Sequence, residues 1–129
     1  MEMSYANLNR IFAPAAPMGM EGSLFDHASK FSDDYNGGVW TVEEIGGMPF
    51  AILPEGEYNV SVASNYYSGK MDHRTFGVAL TLVLLNRIVW AVYESGRDHD
   101  AVTTRFHEMR NAAYNDDTLD TAAIAGFLD

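Results

Sequence analysis

Apolar residues recur along the chain in two different rhythms, and the switches between them predict its elements. Leu24, Ala28, Phe31 and Tyr35 fall at helical spacing after Ser23, whose hydroxyl is placed to cap a helix start, and Asn36-Gly37-Gly38 ends the run. The β-branched and aromatic run Val39, Trp40, Thr41, Val42 and Ile45 then breaks at Gly46-Gly47 before Pro49-Phe50-Ala51-Ile52-Leu53. Two strands joined by a glycine turn are expected. A second turn at Pro54-Glu55-Gly56 leads to Tyr58, Val60, Val62 and Ser64, which alternate with Asn59, Ser61 and Ala63 as a third antiparallel strand. Asn65 to Gly69 reads as a polar loop.

Beyond the loop, Asp72 is placed to cap a long helix whose stripe is Phe76, Ala79, Leu80, Val83, Leu84 and Ile88. Val78, Leu82, Leu85, Val89 and Trp90 widen that stripe until little of the circumference is polar, so this helix should form the buried centre. Gly96 stops it. Asp98 or Asp100 starts another helix carrying Val102, Phe106, Met109 and Ala113, and Thr118 opens a short last one with Leu119, Ala122, Ala123 and Phe127. Strands joined by short turns pair antiparallel, so the order predicts an α+β fold: a small antiparallel sheet of three or more strands packed with four helices, one long and central. Pro14, Pro17, Gly19 and Gly22 make 1–22 an N-terminal arm, and 23–129 a single domain.

Composition narrows the class. With 129 residues, 47% of them apolar, the chain is long enough for one core, and the absence of cysteine excludes disulfides, thiolate zinc sites and a cysteine nucleophile. The longest apolar run, Phe76 to Leu85, is about half of what a bilayer-spanning helix needs, so no membrane partner is expected. No export signal is legible in 1–12, and a cytoplasmic location is expected.

The formal charge of −10, from 18 acidic against 8 basic residues, opposes direct nucleic-acid binding. The acids are uneven. Glu43, Glu44, Glu55 and Glu57 lie in a stretch without Lys or Arg, and Asp116, Asp117 and Asp120 precede or open the last helix, whereas 70–97 has a small positive excess. Such lobes are solvating by default, and at helix starts capping.

Catalytic constellations are missing. His27, His73, His99 and His107 match no metal-ligand spacing, and no H-E-x-x-H, nucleophile elbow or phosphate-binding glycine loop occurs. No cofactor is expected. A His/Asp site would require Asp72, His73 and His99 to converge in a pocket. The aromatics Trp40, Tyr58, Tyr66, Tyr67, Trp90 and Tyr93 could stack on bases, but no Lys/Arg cluster accompanies Trp40, Tyr58, Tyr66 or Tyr67, which points to packing or to protein contact.

Gly37-Gly38-Val39-Trp40, then Glu44-Ile45, Gly46-Gly47, Phe50 and Pro54, followed by Asn65, Tyr66 or Tyr67, Gly69, Met71 and Gly77, resembles in order the antirestriction family typified by ArdB and KlcA. Phe106, Arg110, Ala122-Ala123-Ile124 and Leu128-Asp129 are similar to the family's last two helices. The chain departs at Asp72-His73-Arg74-Thr75, where the family has a Ser-Ala-Asp-Ala-like helix start, and at Phe50-Ala51-Ile52-Leu53, with fewer aromatics than the family's second strand.

The resemblance implies a non-enzymatic counter-defence protein of a plasmid, phage or other mobile element. It would relieve type I restriction by contact with the restriction-modification complex or an associated host protein. A second possibility is an acidic mimic of DNA, which needs carboxylates in a sustained array, since duplex DNA carries a charge every ~1.7 Å of axis. Candidate partner-binding residues are Tyr66 and Tyr67 in the polar loop, and Glu43, Glu44, Glu55, Glu57, Asp72, Asp116 and Asp117 on the acidic lobes.

Overall fold

The computed structural model describes residues 10–12 and 20–129. Apart from 10–12 and 20–22, the arm expected over 1–22 lies outside the described residues. Residues 10–12 are helical, with Ile11 and Phe12 fully buried. The remaining elements are α1 (Met20–Phe31), β1 (Thr41–Ile45), β2 (Met48–Ile52), β3 (Glu57–Val62), β4 (Tyr67–Asp72), α2 (His73–Glu94), α3 (Asp100–Tyr114) and α4 (Thr121–Leu128).

The α+β class, the long central helix and more than three antiparallel strands are present; among the described residues the strands number four, in two separate pairs, β1–β2 and β3–β4, rather than one sheet. The polar stretch around Tyr67 is strand rather than loop. In β4 only Met71 is buried, so no period-two apolar signal exists there; the strand is held by its ladder to β3, from Glu57 opposite Asp72 to Val62 opposite Tyr67. The turn between them is residues 63–66.

Other boundaries move for reasons of capping. Ser23 lies inside α1, its carbonyl engaged by His27 Nδ1 at 2.7 Å, and caps nothing. The last helix starts at Thr121 rather than Thr118, because Asp120 Oδ1 accepts from the Ala123 N–H at 3.1 Å. Asp72 does cap α2, accepting from the Thr75 N–H at 2.7 Å.

Helix α2 is the axis on which the rest packs. A Cβ at Gly77 would stand 2.4 Å from the Ala51 carbonyl oxygen, so glycine alone lets β2 approach this closely. One turn on, buried Thr81 accepts the Ala51 N–H at 3.2 Å and donates to the Gly77 carbonyl at 2.8 Å, satisfying that N–H at the edge of β2. By length and apolarity α2 could cross a bilayer, but 67% of its most apolar window is buried inside the domain, as in a core helix. At the other end of the core Phe127 receives Phe31, Phe76 and Tyr67 edge-on at 5.2, 6.3 and 6.4 Å, tying α4 to α1, α2 and β4.

Candidate interaction surface

The structure divides the candidate residues into two groups at opposite ends of the β3–β4 hairpin. Glu43, Asp72 and Asp116 gather round the amino end of α2. Arg74 in its first turn makes a two-pronged pair with Glu43 of β1, the closest contact 2.6 Å, and donates to Thr118 Oγ1 at 2.8 Å. The bonds to Glu43 raise the Arg74 pKa above its ordinary value. Asp116 accepts from the Thr118 N–H at 2.8 Å and from its hydroxyl, and those bonds lower its pKa. Glu44 pairs with Arg10 at 2.6 Å, Glu57 stands 4.0 Å from Lys70, and Asp72 is committed to its cap. Glu55 and Asp117 are exposed. Arg74 and the positive pole of α2 are cause enough for carboxylates to collect here. Cations interrupt them, so among the described residues there is no continuous carboxylate array.

Tyr66 occupies the other end. It is 92% exposed at a φ of +60°, a left-handed conformation uncommon for a residue with a Cβ. Asn65 imposes it. The Asn65 amide donates to the backbone oxygens of Gly126, Phe127 and Asp129 at 3.2, 3.1 and 2.6 Å, while its Oδ1 accepts the Tyr67 N–H at 3.0 Å. One side chain thus joins the turn to the carboxyl end of α4 and aims Tyr66 at solvent. Tyr67 turns inward instead: its ring is half-buried against Phe127 and Gly126, and desolvation raises its pKa. The adjacent tyrosines therefore divide into one anchor of the core and one presented ring.

Of the other aromatics open to packing or protein contact, two lie side by side at the surface. Trp90 and Tyr93 are each 56% exposed and meet edge to face at 5.8 Å, with His99 against Tyr93 at 5.1 Å. Trp90 was expected within the buried stripe, yet it shares an i, i+4, i+8 row with Asn86 and Glu94, a polar face on which it emerges. The histidines do not converge. His73 opens the 22-residue α2 and His99 packs on Tyr93 near its far end, roughly 30 Å away along the axis. His27 contacts Arg87, and His107 lies 3.1 Å from Arg110. No group of three potential metal ligands occurs among the described residues.

The model of the family named Antirestriction protein matches residues 33–129, which include both hairpins, α2, the Asn65–Tyr66 turn and α4. This chain belongs to the antirestriction protein family. A curated relative described as an antirestriction protein, YubI of Escherichia coli (strain K12), is 25% identical over 93 residues, covering 71% of this chain and 64% of YubI. The chain thus spans somewhat less than two thirds of that relative. A solved structure matches over 98% of this chain and 92% of its own, with a TM-score of 0.73 at 22% identity. It is described as showing a novel fold for KlcA and ArdB and antirestriction activity against type I DNA restriction systems in vivo but not in vitro. The antirestriction fold is therefore this chain's fold. The family match begins beyond α1 and residues 10–12, so the helix and buried Phe12 that complete the core lie outside the matched region.

Proposed function

We propose that this protein relieves restriction by type I restriction-modification systems through protein contact and without catalysis. Its site of action would be the cytoplasm of a bacterial host, and its origin a plasmid, phage or other mobile element. The observation that carries this reading is Tyr66, an exposed aromatic ring fixed by an asparagine that itself grips the end of α4. A pre-ordered tyrosine loses little entropy on binding and supplies apolar area with a hydroxyl at its tip, which is why such residues serve as interface anchors.

The relatives' activity in vivo but not in vitro supports a partner present in cells, either the restriction complex in a cellular state or a host protein associated with it. The acidic collar around Arg74 gives less support to imitation of DNA, since Glu43, Glu44 and Glu57 each face a cation.

A plating assay tests the reading. Expression of the chain should raise the plating efficiency of unmodified phage on a host with an active type I system and leave a restriction-deficient host unaffected. Unchanged restriction in the first host contradicts it.

A further inference from the structure

Lys30 and Lys70 are the only lysines of a chain whose net charge is −10, and both line one cavity of about 490 Å³. The floor of this cavity is the outer face of the β3–β4 hairpin. There Asn59 stands opposite Lys70 and Ser61 opposite Ser68, in alternation with the buried Tyr58, Val60 and Val62. Its wall is the end of α1 and the turn that follows, from which Lys30, Phe31, Asp33 and Asp34 face the hairpin. Asp34 fastens wall to floor: one of its carboxylate oxygens accepts the Asn59 backbone N–H at 2.7 Å and the Asn59 side-chain amide at 3.1 Å.

With Asp34 committed to Asn59, the charges left to the cavity are Lys30, Lys70 and Asp33. Among the described residues neither Lys30 nor Asp33 forms an ion pair, although the two are three positions apart. The Lys30 ammonium lies 5.5 Å from the centre of the Phe31 ring. Lys70 reaches Glu57 at 4.0 Å, with both side chains more than half exposed, a contact of the kind that contributes little. Two ammonium groups and a carboxylate therefore share one cavity without neutralising one another. The Ser61 and Ser68 hydroxyls stand between them as further donors and acceptors.

We propose that this cavity binds an acidic α-amino acid, either free or as the first residue of a peptide. The charge complement of two ammonium groups and one carboxylate is two carboxylates and one ammonium group, which is the charge set of such a ligand at neutral pH. Its carboxylates pair with Lys30 and Lys70, its ammonium group with Asp33, and the serine hydroxyls donate to carboxylate oxygens that the lysines leave open. A simple anion such as phosphate would satisfy the lysines but meet Asp33 and Asp34 uncompensated. An apolar ligand would take water from every one of these groups and return no hydrogen bond.

Nitrogen–proton correlation spectra of the full chain, titrated with L-glutamate at constant ionic strength, test the assignment. Saturable shifts are expected at Ser61, Ser68, Gly69 and Lys70, with a dissociation constant on the order of 1 mM for a small ligand held by partly exposed ion pairs. Lys30→Met and Lys70→Met should each weaken that binding about threefold. Glutarate keeps both carboxylates and lacks the ammonium group, so it should bind the parent chain more weakly than glutamate, and Asp33→Asn should remove the difference. The tripeptide Glu-Ala-Ala separates the two sources: tighter binding than free glutamate assigns the cavity to the amino end of a peptide, weaker binding to the free amino acid. Shifts that fail to saturate by about 20 mM, that persist unchanged in both lysine variants, or that glutarate matches in full overturn the proposal.

Discussion

The Thr81 hydroxyl oxygen lies 3.2 Å from the backbone nitrogen of Ala51 and 2.8 Å from the Gly77 carbonyl, in a site with no solvent exposure. A single side chain thereby satisfies the Ala51 N–H at the edge of a two-stranded sheet. The near-isosteric Thr81→Val keeps the shape and leaves the Ala51 N–H buried without a partner, which should cost about 1–3 kcal/mol. Thr81→Ser should retain most of that stability. Urea unfolding of the three proteins measures the difference.

Gly77→Ala tests the same junction from the other side. The added methyl would stand 2.4 Å from the Ala51 carbonyl oxygen and 2.8 Å from Ile52 Cα, both backbone atoms, so β2 must move off the helix. A loss of about 2–3 kcal/mol is expected, near the top of the usual range for overpacking, although alanine is the better helix former. Thermal unfolding followed by circular dichroism shows it as a lowered midpoint.

These junctions show what was legible in the sequence. The apolar rhythm of Phe76, Ala79, Leu80 and Ile88 placed the central helix, and glycine pairs placed the first hairpin, because those signals are local. Strand β4 was hidden, since Tyr67 to Asp72 buries only Met71 and takes its conformation from a ladder to β3. Among the candidate site residues, exposure of one tyrosine and burial of the next depended on Asn65 reaching Gly126, Phe127 and Asp129, more than sixty positions away. No pattern of neighbours could report that contact. Likewise Glu43 read as a free acid until Arg74 arrived beside it from another element.

His27 should make stability depend on pH. Its Nδ1 bonds the Ser23 carbonyl, so the Nδ1–H form is present, and Nε2 accepts from Arg87. Burial first, then Arg87 and Lys30, lower its pKa from the ordinary 6.5, despite the opposing Ser23 bond and Asp26. A folded-state pKa below the unfolded one means that the unfolded chain binds the proton more readily. The contribution is present above pH 6.5 and is lost as pH falls through the folded value. The melting temperature should therefore fall as the pH drops below about 6.5, and His27→Gln should flatten that slope.

Asn65 and Tyr66 separate stability from function in opposite directions. Asn65→Ala removes the bonds to α4 and should destabilise the fold by about 1–3 kcal/mol. Tyr66→Gly relieves the positive φ and should leave stability unchanged or raise it by up to about 1 kcal/mol, while removing the proposed anchor. Denaturant titrations of the two variants check the contrast.

The most direct test of contact through this turn is the plating efficiency of unmodified phage on a type I restricting host that expresses either the parent chain or Tyr66→Gly at equal soluble levels. Loss of an aromatic anchor weakens binding by about 2 kcal/mol, close to thirtyfold, so protection by the variant should fall at least about tenfold. Full protection by Tyr66→Gly would contradict the account.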